Sequence, residues 1–192
     1  MTVAQTAIYD SCVLFPFALR DLLVQLAVAG LVRAKWTDEI TAEWMGAVLE
    51  HRPDIPRERL ERTRTLMDAV ARERDCRVTG YEDLIPALGL PDPDDRHVPA
   101  AAIRARADVI VTSNLKHFPA AVLAPYGVEA QHPDAFLMRL LDADPVAVLE
   151  SGRECRRRKR KPPQTVDDYL AALERQGLPQ LVAGLRKSSD AL

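Results

Sequence analysis

The stretch Asp108–Ser113, DVIVTS, restricts the fold more than any other in the chain. Val109, Ile110, Val111 and Thr112 are β-branched and follow one another with no polar alternation. Such a strand needs cover on both faces, as in a parallel sheet. A second strand-forming run, TAIYDSCVLF at 6–15, meets Pro16, which suits the first position of a helix. Residues 16–32 then carry Leu19, Leu22, Leu23, Leu26 and Leu31 at helical spacing. VRAKW is a short extended piece, and Thr37 can cap a helix to about Glu50, with Asp38 and Glu39 in its first turn, where the dipole favours acids. Pro56 opens an Arg- and Glu-rich helix over 56–74, and CRVTG at 76–80 reads as a short strand. RHVPAAAIRARA is helical from near Asp95, because Pro99 is tolerated only in a first turn. A helical turn at 119–124, the strand-like YGVEAQ at 126–131 and a helix from Pro133 follow. Strands alternating with helices indicate an α/β fold, a central parallel sheet covered on both faces.

Past residue 144 the strands stop. VAVLESGRECRRRKRK reads as a helix ending in a basic cluster, which KPPQT breaks; Thr165 can cap the next helix, and a final helical pair is interrupted at Gly177. We therefore divide the chain into a domain over 1–143 and a helical extension over 144–192, a division that 192 residues accommodate. Charge follows the same boundary. Residues 1–150 hold 16 Lys+Arg against 23 Asp+Glu, whereas 151–192 hold 10 against 5. An acidic body with a basic tail suggests a metal in one part and a polyanion or partner at the other. No apolar run reaches the ~18–20 residues of a membrane span, and MTVAQTAIYD lacks the basic start of a signal peptide. Cys12, Cys76 and Cys155 are far apart with no CxxC pair, so neither a disulfide framework nor a zinc site is indicated, and a cytoplasmic location is the simplest expectation.

Ligands of open parallel sheets bind beyond the carboxyl ends of the strands. Polar residues expected there are Asp10 on the first strand, Asp92, Asp94 and Asp95 before the helix at 95–106, and Thr112, Ser113 and Asn114 after DVIV. Glu43 lies on the Thr37-capped helix beside Trp44, and both Trp36 and Trp44 are expected in the core or an interface. Carboxylates gathered from separate segments repel, so they demand a cation or raised pKa values. Oxygen ligands without His or Cys select Mg²⁺ or Mn²⁺. Each piece alone has an ordinary reading, as an N-cap, a turn or a surface charge. Their order, strand Asp, helix Glu, helix-start Asp, strand TSN, is the stronger signal.

In that order the sequence resembles the PIN-domain ribonucleases, specifically VapC-type toxins of bacterial toxin–antitoxin pairs. The resemblance is carried by IYDSCVLFP, WTDEITAEW and DPDDRHVPAAAIRARADVIVTSNLKHFP, and covers roughly residues 4–140. It implies a PIN-like three-layer fold, with Asp10, Glu43 and Asp95 as metal-binding acids and Asp94 as an adjacent candidate. Asn114 falls where the family often has Asp and, with Asp10, Glu43 and Asp95, completes the implied catalytic set; Ser113 or Thr112 would assist it. His117 falls where relatives commonly have Asp, which would weaken a second metal. The implied activity is a Mg²⁺- (or Mn²⁺-) dependent endoribonuclease, with an RNA substrate, a cognate antitoxin protein and a homodimer. Arg96, His97 and Lys116 could touch the RNA backbone, as could Arg157 and Arg158 of the RRRKRK run, which otherwise serves as a solvated linker or docks an acidic partner. A catalytically weak RNA- or antitoxin-binding PIN module is the alternative that Asn114 and His117 motivate, and a DNA nuclease on the same fold would use the same site chemistry. A phospho-acceptor receiver needs an acidic pair near the first strand, and a haloacid-dehalogenase-type phosphatase needs DxD there; Asp10-Ser11-Cys12 supplies neither.

Overall fold

Asp10 ends the first strand earlier than its apolar run suggests. In the computed structural model, which describes residues 4–160, 162–188 and 192, β1 spans Thr6–Tyr9 and the one-turn helix α1 spans Ser11–Leu14. The expected strand to Phe15 is thus corrected: the chain turns at Asp10 so that Val13 and Leu14 enter the core from a helix. Pro16 then opens α2, Phe17–Val28. The buried guanidinium of Arg20 donates to the Leu14 and Phe15 carbonyls and lies 4.3 Å from the Trp44 ring centroid. It thereby satisfies carbonyls that the short α1 leaves unpaired.

β2 (Arg33–Lys35) leads into α3 (Asp38–His51), capped by Thr37, whose hydroxyl accepts the Ile40 N–H at 3.0 Å. α4 spans Arg57–Arg74. The short strand expected at 76–80 is reduced to one parallel bridge, Trp36 to Arg77. Asp75 adopts a left-handed conformation (φ 53°) before it and Gly80 another (φ 68°) after it, so the extended stretch is short. A 3₁₀ turn at Asp94–Arg96 precedes α5 (His97–Arg104), which holds Pro99 in its first turn. β3 (Val109–Val111), α6 (Ala120–Leu123), β4 (Glu129–Gln131) and α7 (Pro133–Ala143) complete the α/β part. The sheet is parallel throughout, in the order β2-β1-β3-β4. Every residue of β1 and β3 is buried, and since alternate side chains point to opposite faces, helices must cover both.

The remaining helices are α8 (Pro145–Arg157), α9 (Val166–Glu174) and α10 (Pro179–Arg186). α8 packs on α2 and α7, and α10 packs on α7 and α9. α8 ends inside the basic cluster, ahead of the Pro162–Pro163 break, with Arg156 and Arg157 in its last turn, where the helix dipole favours cations. Lys161, the last residue of that cluster, and Met1–Val3 of the amino-terminal stretch lie outside the described residues. No helix among the described residues is long and apolar enough to cross a membrane. α9 has a reciprocal capping box between Thr165 and Asp168. α10 is capped from another element: the buried Asp134 carboxylate on α7 accepts the N–H groups of Gln180 at 3.0 Å and Leu181 at 2.9 Å. Asp134→Ala should therefore lower unfolding free energy by roughly 1–3 kcal/mol, the cost of stranding buried amides. Urea denaturation measures it, and Asp134→Asn, which keeps an acceptor oxygen, should recover part of the loss.

Candidate metal centre

The strand order creates one crevice. β1 connects to β2 on one side, and β3 then takes the opposite side of β1. Connections diverge there, and the carboxyl ends of β1 and β3 open toward solvent. Tyr9 pairs with Val111 in register, and the Asp10 N–H still bonds the Val111 carbonyl at 3.1 Å. Asp10 and Thr112 therefore leave adjacent strands side by side.

The Asp10 side chain makes no capping bond to α1. Its Oδ2 accepts the Thr112 hydroxyl at 2.7 Å and the Cys12 thiol at 3.0 Å, while Ser11 Oγ stands 3.4 Å from Oδ1. Asp10 is only 4% exposed, and these partners are neutral. A buried carboxylate so placed is a strong attractor for a cation. The same carboxylate, after burial itself, pushes the Cys12 thiol up to about 12, so Cys12 is a hydrogen-bond donor here rather than a nucleophile.

Thr112 Oγ1 also accepts the Asn114 N–H at 3.0 Å, which starts the 3₁₀ turn Leu115–His117. Phe118 anchors the turn in the core. The turn brings His117 Nδ1 to 2.6 Å from Asp95 Oδ2. Asp92 approaches from the other side, and one ligand atom from each of Asp92, Asp95 and His117 lies within 4.8 Å of the others. Burial raises the Asp95 pKa above the ordinary aspartate range; the charges of Asp10 and Asp92 add to this, and His117 opposes it.

Glu43 is held by a residue that sequence reasoning gave another role. His97 is buried, with Nε2 2.8 Å from Glu43 Oε1 and Nδ1 3.6 Å from Glu39 Oε2. Glu39 and Glu43 are one helical turn apart and face α5 together. Tyr81 donates to Glu39 at 3.0 Å. The expectation that His97 touches an RNA backbone is corrected by this burial. Its spacing from Asp95 and the Glu39–Glu43 pair were the only signals available, and neither names a partner without the packing of α3 near α5.

Asp92, Asp95 and His117 thus come together; Asp10, at the end of β1, acts on Asp95 and His97 through its charge, and Glu43 is held by His97. Asp94 is exposed, and it is Asp92 rather than Asp94 that joins Asp95; Asp92 Oδ1 accepts the Asp94 N–H at 3.0 Å. Ser113, Asn114 and Lys116 are exposed at the rim, and Arg96 is half-buried. Arg157 is exposed, but Arg158 binds Asp21 at 3.0 Å and Gln25 at 2.7 Å. Trp36 and Trp44 are core residues. The donor set of Asp92, Asp95 and His117, two carboxylates and an imidazole, with the buried Asp10 carboxylate at the end of β1, fits a divalent cation.

The sheet, its switch point and this acidic crevice define a PIN domain. The PIN domain family model matches residues 4–116, and the chain belongs to that family. Residues 133–187 match the model of the VapC50 C-terminal domain. A curated relative, named Putative ribonuclease VapC50, from Mycobacterium tuberculosis, is 59% identical over 63 residues, a stretch covering 33% of this chain and 37% of that protein. No solved structure matches the chain significantly.

Burial disfavours the charged form of His97, but its bond to Glu43 and the charges of Glu43, Glu39 and Asp10 outweigh burial, so its pKa is raised. A raised folded-state value means that the pair stabilises the fold fully below the unfolded histidine pKa of about 6.5, and that this share is lost as pH climbs through the folded value. The stability difference between wild type and His97→Gln, followed by denaturant unfolding, should accordingly be larger at pH 6 than at pH 9. A difference independent of pH would mean that His97 acts by packing alone.

Proposed function

We propose that this chain is a metal-dependent endoribonuclease acting as the toxin of a toxin–antitoxin pair. The observation that carries the reading is the buried Asp10 carboxylate at the β1–β3 switch point of a PIN domain, with the Asp92–Asp95–His117 cluster at the start of α5 and after β3. The relative's printed name and the match of residues 133–187 support the assignment to RNA and to the VapC type. The nuclease unit is 1–143 and the helical extension 144–192; the partners are RNA, a cognate antitoxin and a second copy of the chain, in the cytoplasm.

Asp10, Asp95 and Glu43 would hold Mg²⁺ or Mn²⁺. When bound, the ion activates water and offsets charge building on the phosphate oxygens. Thr112 fixes the Asp10 carboxylate through its hydroxyl, and His97 fixes Glu43. Asn114 and Ser113, exposed beyond Thr112, would hydrogen-bond the scissile phosphate. Lys116 and Arg96 would attract the RNA backbone. Asp94, off the carboxylate cluster, is kept only as an outer neighbour.

A second reading is favoured by one contact. His117 occupies an Asp95 oxygen at 2.6 Å, which suits a weakly catalytic module that binds RNA or antitoxin without cutting. Purified chain incubated with total RNA separates the two. Discrete cleavage should require divalent metal and fall at least ~100-fold in Asp10→Asn or Asp95→Ala. Retained cleavage in both variants overturns the site, and a folded wild type that binds RNA without cutting it supports the second reading. For the basic run, Arg157→Gln with Arg160→Gln should shallow the slope of log affinity against log salt by about 0.7 per phosphate contact removed.

A further inference from the structure

Among the described residues, the cluster of Asp92, Asp95 and His117 has one corner that is not oxygen. His117 Nδ1 faces Asp95 Oδ2 at 2.6 Å, and Asp92 brings a third ligand atom to within 4.8 Å of both. This histidine is not a loose surface group. Its N–H bonds the Asn114 carbonyl at 2.9 Å, the Phe118 N–H bonds Leu115 O at 3.1 Å, and the Thr112 hydroxyl fixes the start of the turn. The imidazole is 29% exposed, so it is delivered to the crevice wall and still open to solvent. Independently, the carboxylate of Asp10 is buried among neutral donors, and one of these, Thr112, also accepts the Asn114 N–H that starts the His117 turn.

We propose that His117 is a ligand of the ion through Nδ1, together with Asp95 and Asp92, and that this nitrogen makes the site select a divalent transition metal over Mg²⁺. The proposal rests on the nuclease reading above, because it concerns the ion of that same site. Its chemistry is that of the donor atoms. Mg²⁺ is hard, loses water reluctantly and favours oxygen, whereas imidazole suits the first-row transition ions, whose affinity for nitrogen sites rises along the series from Mn²⁺. A site of carboxylates alone lacks that bias. The competing role is that His117 only donates to Asp95 and orients it; the two differ in whether nitrogen touches the ion.

Pulsed electron paramagnetic resonance on the full chain loaded with Mn²⁺ distinguishes them, because a directly bound histidine couples its nitrogen to the electron spin. Wild type should show this coupling, and His117→Asp should lose it while still binding Mn²⁺. The Mn²⁺-to-Mg²⁺ affinity ratio, from competition titration, should drop by about tenfold or more in His117→Asp. Bound Mn²⁺ with no nitrogen coupling in wild type, or a coupling and ratio unchanged in His117→Asp, overturns the proposal and leaves the nuclease reading standing. A folded wild type that binds no Mn²⁺ at all overturns both.

Discussion

The parallel contact between β1 and β3 is the constraint on which the rest of the site depends. Because Tyr9 and Val111 are in register, the next residue on each strand must emerge at the same depth of the same crevice. One of these is an acid and the other a hydroxyl, and they bond at 2.7 Å. The same Thr112 oxygen accepts the Asn114 N–H, so one atom ties the sheet register, the direction of the Asp10 carboxylate and the start of the His117 turn. A slip of one residue would send Asp10 to the opposite face of the sheet. The fully buried strands make such a slip costly, since each apolar side chain of VIV already has cover on its own side.

Electrostatics explains why two histidines sit among the acids. Unit charges ~6 Å apart at an effective dielectric of ~20 repel by about 3 kcal/mol, comparable with a sizeable share of a domain's stability. The crevice offsets such repulsion in two ways. His97, inside the fold, bridges toward Glu43 and Glu39 and is drawn to its charged form despite burial. His117, at the rim, answers Asp95. Asp10 has only neutral donors, so the charge least compensated by the chain is the one at the switch point.

What could be read from the sequence followed from short-range chemistry. Within DVIVTS, Val109–Val111 is a buried parallel strand, as β-branched residues in succession favour; Pro99 fixes the start of α5, and Thr37 and Thr165 cap the helices they precede. Asp10 and Asp95 stood out as acids on a predicted strand and at a predicted helix start, although the strand ends at Tyr9 rather than running past Asp10. The rest depended on contacts between segments far apart in the chain. The choice of Asp92 over Asp94 follows from the tight turn at Asp94–Arg96, in which the Asp92 side chain folds back on the Asp94 N–H. The partner of His97 comes from α3, more than fifty residues earlier in the chain. Nor does composition reveal that much of the basic run is engaged within the fold.

That engagement changes what the charge asymmetry means. Arg156 donates to the Gln164 and Leu192 carbonyls, and Arg158 to Asp21 and Gln25. Lys159 lies over the Phe17 ring at 3.2 Å, where burial lowers its pKa. Three cations that look like a polyanion-binding stripe therefore fasten the end of α8 to α2 and to the chain terminus. The excess positive charge is in good part a device of assembly, holding an extension against an acidic body. Arg157 and Arg160 stay exposed. On the proposed reading, the part of the basic run left for RNA is therefore Arg157 and Arg160 rather than the whole cluster.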